Sequence, residues 1–166
     1  MSYVFKRLPS PVGTLTLIAR GDKLCAILWE NEKLNRVRIG PLQEDIHNPL
    51  LLETERQLKQ YFAGERDCFE LPLDFAGTDF QQKVWQALLT IPFGETRSYS
   101  QIAQQIGNPK AVRAVGAANG KNPLSIVAPC HRVIGASGSL TGFAGGLEAK
   151  QYLLGLEGRE TLPLGF

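Results

Sequence analysis

The run Ile126-Val127-Ala128-Pro129-Cys130-His131-Arg132-Val133-Ile134 reads as an apolar strand interrupted by a proline, a thiol, an imidazole and a guanidinium, then resumed. Polar groups inside an apolar stretch need a chemical reason. A cysteine beside His131 and Arg132 lies in an electropositive setting that favours thiolate, the form that acts as a nucleophile. Cys130 is therefore the candidate nucleophile. Glu157 follows a helix-like stretch from Glu148 to Leu156, and is either the acid that orients His131 or a solvated acid near the chain end. Cys25 and Cys68 are read as small packing residues. Three cysteines without C-x-x-C spacing, with only His47 and His131 beside them, argue against both a disulfide framework and a zinc site. No metal or cofactor is implied, and the free thiols fit a reducing, cytoplasmic compartment.

The elements that must position these groups fall into two parts. Val12 to Ala19 and Leu24 to Trp29 have the β-branched, alternating character of a hairpin across Arg20-Gly21-Asp22-Lys23. From Pro49 to Phe62, apolar residues at 51, 52, 58, 61 and 62 share a helical face, and Gly64 stands where the helix should stop. Phe69 to Leu73 is read as one more strand. The breakers Pro72, Asp74, Gly77 and Thr78 place a domain boundary near 78, giving domains over 1–78 and 79–166. Beyond it, Phe80, Val84, Trp85, Leu88 and Leu89 predict a helix ending at Ile91-Pro92-Phe93-Gly94. Ser98 to Gly107 predicts a short capped helix, and Asn108-Pro109 the start of another with Pro109 at its first position. Two short helices across a glycine-containing turn suggest helix-turn-helix. The second helix is rich in Ala, with Gly116, and its Arg113 would be costly to bury without a partner.

The chain has 166 residues, 43% hydrophobic and 20% charged, which suits a folded protein with a substantial core. The formal charge of +2 is too small to announce a nucleic-acid binder, but its distribution is uneven. Residues 1–78 carry ten basic and eleven acidic side chains, whereas residues 80–147 carry six basic side chains against Glu95 alone. No apolar run approaches the roughly 18 residues that cross a bilayer, and Lys6-Arg7 is not followed by the apolar core of a signal peptide, so no membrane partner is expected.

Pro129-Cys130-His131-Arg132, preceded by Gly107-Asn108-Pro109-Lys110-Ala111-Val112-Arg113-Ala114-Val115-Gly116 and Asn122-Pro123, resembles the O6-alkylguanine-DNA alkyltransferases, the methylated-DNA–protein-cysteine methyltransferases. The resemblance covers residues 80–157, with Tyr99 before the first helix and Gly145-Gly146-Leu147 after the thiol, and is weaker over the front. It implies an α/β (α+β) fold. A small N-terminal antiparallel sheet with a helix, ribonuclease H-like, would precede a mostly helical, winged-helix-like domain containing the helix-turn-helix. It implies DNA repair in which Cys130 takes the alkyl group from O6-alkylguanine, and from O4-alkylthymine, in double-stranded DNA. The transfer would be irreversible, one lesion per protein molecule, by a monomer that flips the damaged nucleotide out of the stack.

The same resemblance supplies residue roles. Glu157 would polarise His131, which would take the thiol proton through a water, and Tyr99 would donate to the departing guanine. Backbone groups at Cys130 and Val133 would read the exocyclic amine, the amide near Ala144 would meet O6, and Asn122 would hold the turn behind the site. Val133, Asn119, Phe143, Ala144 and Gly145 would line the substrate pocket. Arg113 would fill the space left by the flipped nucleotide, from a helix in the minor groove. Tyr99, Ser100 and Asn108 would meet the DNA, although Ser100 and Asn108 are equally suited to capping helices. Phe143 and Ala144 stand where many relatives have tyrosine and serine, Asn119 where some have methionine, and Gly145 is expected to leave room beside the thiol for larger alkyl groups. Two rivals stand beside this reading: a helix-turn-helix module that only binds alkylated DNA, and a cysteine hydrolase using Cys130 with His131. Adjacent residues in an extended chain point to opposite sides, which disfavours the hydrolase.

Overall fold

Leu15, Leu17 and Ala19 alternate along one strand and are fully buried, while Ile18 between them is buried on the opposite face. That pattern requires a sheet covered on both sides. The computed structural model, which describes residues 2–33, 35–135 and 143–158, supplies it. Strands β1 (Tyr3–Leu8), β2 (Leu15–Arg20), β3 (Lys23–Leu28) and β4 (Leu42–Glu44) form a sheet in the order β3-β2-β1-β4. The β2–β3 hairpin is antiparallel, as is β1 with β2, and the short β4 joins β1 in parallel. The hairpin register shifts between Ile18 and Ala19, leaving Cys25 as the extra residue of a bulge. The bulge changes the phase of β3, so that Leu24 and Ile27 face one core while Cys25 and Ala26 face the other. Phe69 to Leu73, read from sequence as a strand, contributes only a bridge from Leu73 to Leu24.

Helix α1 (Pro49–Phe62) starts where Asn48 accepts hydrogen bonds from the amides of Leu50 and Leu51, and Pro49 occupies the first helical position, where its missing N–H costs nothing. It lays Leu51, Leu58 and Tyr61 on the sheet. Leu52, counted with that face in the sequence, is exposed. Helix α2 (Asp79–Leu88) opens with a Thr78–Gln81 capping box, and α3 (Tyr99–Gln105) with a Ser98–Gln101 capping box. Helix α4 runs from Val112 to Gly120, three residues later than Pro109 predicts; Ala111 flanks its start without a side-chain cap, and Asn108 accepts from the Ala111 amide in the preceding turn. Trp85 of α2 donates from Nε1 to the Ala118 carbonyl of α4 at 2.8 Å, locking the two helices together. A two-residue parallel pair, β5 (Arg97–Ser98) with β6 (Val133–Ile134), and helix α5 (Leu147–Leu156) complete the described elements.

The parts on either side of residue 78 share a core. Leu17, Ile27, Leu51 and Leu58 pack in one cluster with Leu124, Ile126, Ala128 and Leu153. The Ile27 amide also donates to the Pro123 carbonyl. The stretch 159–166, included in the second domain from sequence, lies outside the described residues.

Candidate active site

The segment leading to the thiol is folded back on itself. Ile126 has φ of 74°, an uncommon and strained value for a β-branched residue. The amides of Val127 and Ala128 donate to the Ser125 and Leu124 carbonyls, and the Asn122 side chain spans the bend. Asn122 donates from Nδ2 to the Ala128 carbonyl at 2.8 Å and accepts at Oδ1 from the Leu124 amide at 3.0 Å. Cys130, His131 and Arg132 then form one 3₁₀ turn before β6, instead of continuing the extended strand read from sequence. That correction also removes the extended-chain argument against a Cys130–His131 hydrolase.

The turn carries its side chains into a buried charge cluster. His131 is fully buried and its Nε2 lies 2.7 Å from Oε2 of Glu157, itself 3% exposed. Arg132 donates from Nε to Oε1 at 2.8 Å and from Nη2 to Oε2 at 3.0 Å, and its Nη1 donates to the Ile91 carbonyl at 2.6 Å. Tyr61 of α1 donates its hydroxyl to the same Oε2 at 2.5 Å. Burial alone would push the Glu157 carboxyl up, but hydrogen bonds and charge from His131 and Arg132 hold it down at about 2. Glu157 is therefore ionised and can only accept. His131, driven towards its neutral form chiefly by burial and held back by Glu157, must then carry its proton on Nε2. Its Nδ1 lone pair has no hydrogen-bond partner among the described residues, which leaves it free to act as a base.

Cys130 is 4% exposed, and burial pushes its thiol up, opposed by a hydrogen bond with Asn122 and more weakly by the charges of Arg36 and Lys150. This overturns the expectation of a resting thiolate. Arg132 spends its charge on Glu157, and a neutral imidazole supplies none. The thiol rests protonated and must be deprotonated as it reacts. Lys150, also fully buried, donates from Nζ to the Val133 carbonyl at 2.7 Å and is lowered by burial to about 8.

The remaining residues singled out from sequence divide into those near the thiol and those at the surface. Val133 and the half-buried Tyr99 and Phe143 pack in the same cluster as Cys130. Asn119 is buried, and its Nδ2 reaches towards the Cys130 carbonyl at 3.4 Å. Ala144 and Gly145 lie beside Trp29 of the hairpin, lining a cleft of about 750 Å³ with Gly116, Ala117 and Phe143. A Cβ on Gly145 would stand 2.6 Å from the Trp29 ring, so the space credited to that glycine is already occupied by tryptophan. The outer face of α4 presents Arg113, Ala114, Ala117 and Gly120, flanked by exposed Lys110 and Lys121. Asn108 is exposed and Ser100 half-buried in the first turn of α3, next to Ser98, which makes the cap. Cys68, expected to pack, is exposed.

Sequence reasoning passed over Tyr61, Trp29, Arg36 and Lys150. Arg36 donates to both oxygens of Glu32 and to the Gly120 and Asn122 carbonyls, at 2.9 to 3.0 Å. The available signal was limited to an arginine, a lysine and two aromatics in otherwise ordinary amphipathic patterns.

Known proteins resemble this chain over nearly its whole length. A family model described as "6-O-methylguanine DNA methyltransferase, DNA binding domain" matches residues 79–159, and one described as "6-O-methylguanine DNA methyltransferase, ribonuclease-like domain" matches residues 4–75. A methylated-DNA–protein-cysteine methyltransferase of Mycobacterium leprae is 50% identical over 157 residues, 95% of this chain and 93% of the relative. A constitutive one of Bacillus subtilis is 48% identical over 150 residues, 89% of this chain and 91% of the relative. A crystal structure of a Mycobacterium tuberculosis relative in complex with DNA superposes with a TM-score of 0.86 at 49% identity, covering 93% of each chain.

Proposed function

The chain belongs to the 6-O-methylguanine DNA methyltransferase family, and from that membership we propose that Cys130 is the acceptor thiol of a DNA-repair alkyl transfer. The single observation that carries the assignment is the turn that sets Cys130 beside a buried neutral His131, itself oriented by an ionised Glu157. His131 Nδ1 takes the thiol proton through a bridging water, and Sγ attacks the alkyl carbon in line with the breaking bond to guanine O6. The C–O bond breaks with its electron pair on O6, the Tyr99 hydroxyl donates to the leaving purine, and a thioether remains on Cys130. The step leaves an imidazolium beside Glu157 and a negative charge on the purine, which is eased by the Tyr99 hydroxyl and neutralised when the purine takes up a proton equivalent to the one the thiol lost. In this reading the thioether is permanent, and one molecule repairs one lesion.

The partner in this reading is double-stranded DNA bound through the minor groove. The support is the outer face of α4, where side chains no larger than alanine surround Arg113 and let the helix backbone approach closely, with lysines at either end. Arg113 takes the place of the extruded nucleotide, while Tyr99, Ser100 and Asn108 contact the strand. Val133, Asn119, Phe143 and Ala144 shape the pocket around O6-alkylguanine, with O4-alkylthymine as the second lesion. Residues 79–166 carry the chemistry and residues 1–78 support it, in a protein that acts as a monomer in the cytoplasm. No helix of the described residues is long and apolar enough to cross a membrane.

Incubation with duplex DNA carrying labelled O6-methylguanine tests the reading. Label moves to wild-type protein up to one equivalent, and Cys130→Ala abolishes transfer while the duplex is still bound. Transfer beyond one equivalent, or transfer by Cys130→Ala, would reject it.

A further inference from the structure

We infer that Tyr61 is a positioning residue of the proton relay, the hydroxyl through which helix α1 holds Glu157 against His131. The inference deepens the alkyl-transfer reading and rests on it for the role of His131. Glu157 Oε2 is the atom that meets His131 Nε2 at 2.7 Å, and the Tyr61 hydroxyl reaches that same oxygen at 2.5 Å, across 96 residues of sequence. Tyr61 is 1% exposed, and its ring is fixed by Phe62, Phe69 and Phe93 at centroid distances of 5.4 to 6.4 Å. Its aim is therefore set by packing, and a loose side chain could not hold so short a contact.

The chemical nature of this donor matters. Arg132 also grips Glu157, but its positive charge opposes formation of the imidazolium that His131 must become. Tyr61 orients the carboxylate without adding a charge. Burial first, then the charge and hydrogen bond of Glu157, push the Tyr61 hydroxyl far up, so it remains protonated and donates at any working pH. The groups facing this cluster are His131, Arg132 and Cys130 on the turn, Glu157 at the end of α5, Lys150 and Tyr152 within α5, Tyr61 from α1, and Arg36, whose charge reaches Cys130. From the part before residue 78, Tyr61 is the one that hydrogen-bonds to Glu157 among the described residues.

Removing the hydroxyl leaves Oε2 with one donor fewer, a stronger acceptor that holds a protonated His131 more tightly. The sign follows: the His131 titration moves up, and the acidic fall of the transfer rate moves with it. The test is Tyr61→Phe, with transfer rate measured against pH on O6-methylguanine duplex and His131 titrated by nuclear magnetic resonance in unreacted protein. Both midpoints should rise by roughly half to one pH unit, the equivalent of one net hydrogen bond, with duplex affinity unchanged. Leu58→Val, which loosens α1 without touching Glu157, should leave both midpoints in place. Midpoints that stay put in Tyr61→Phe, whatever the fall in rate, overturn the inference. A wild-type protein that transfers nothing would instead reject the reading of function, and the His131 titration alone would still decide this one. If Tyr61→Phe does not fold, 3-fluorotyrosine at position 61, a stronger donor of nearly the same shape, should lower the His131 midpoint, and no movement would be decisive against.

Discussion

The reacting sulfur is a protected atom, and that sets its solution chemistry. Cys130 is buried and its thiol pushed up, while Cys68 is exposed. A small thiol reagent at neutral pH should therefore label Cys68 well before Cys130, as read by peptide mapping against time; Cys130 labelled first would mean a resting thiolate. The charge cluster behind it makes a second prediction with a definite sign. Glu157 titrates at about 2 when folded against 4.5 ordinarily, so its contribution to stability is complete above 4.5 and is lost as pH falls through about 2. His131 is held below its ordinary 6.5, so it too stabilises above that value and loses its contribution on acidification. Urea midpoints should fall steadily from neutral to acid. In Glu157→Gln they should start lower, by roughly 3 kcal/mol, because Arg132 is left buried without its counter-ion, and the fall between 4.5 and 2 should be smaller. An unchanged pH dependence in that variant would contradict the assignment of the titrating group.

Helices α3 and α4 divide the work of the second part between folding and contact. Ser98 closes the capping box of α3, and Ser98→Ala should cost about 1 kcal/mol in denaturant unfolding with no special effect on chemistry. Arg113, on the exposed face of α4, should matter for duplex substrate and not for the fold. Arg113→Ala should lose repair of duplex DNA far more than transfer from free O6-benzylguanine, because only the duplex requires extrusion. Equal losses on both would contradict the intruding role. The elements with strong periodicity or caps were legible in the chain itself: α1 through Pro49 and its apolar face, α2 through Val84, Trp85 and Leu88, α3 through Ser98. Strand β1 escaped notice because Phe5-Lys6-Arg7 places charges in its middle, and β4 because three exposed residues carry no pattern. The turn at Cys130 was hidden for a different reason. Its conformation is set by Asn122 and the strained Ile126, and apolar residues on both sides imitate a strand.

The molecule works as one body because long-range contacts cross residue 78, and these are what a linear reading cannot supply. Tyr61 meets Glu157, Trp29 fills the space over Gly145, and Arg36 binds the end of α4. The pairing of Cys130, His131 and Glu157 was accessible through family resemblance, whereas the residues that fix it in place depend on how the first part docks. Arg36→Ala should destabilise by roughly 3 kcal/mol, since Glu32 and two carbonyls lose a largely buried partner. The modest excess of positive charge over residues 80–147 also limits the number of phosphates neutralised, so duplex affinity should fall with salt as expected for a few contacts and not for ten. The central claim concerns one sulfur, and intact-protein mass after exposure to duplex containing O6-methylguanine tests it most directly. A gain equal to one methylene per molecule, mapped to the peptide holding Cys130 and absent in Cys130→Ala, is the predicted result. An unchanged mass while the lesion disappears, or a gain mapped to Cys25 or Cys68, would contradict it.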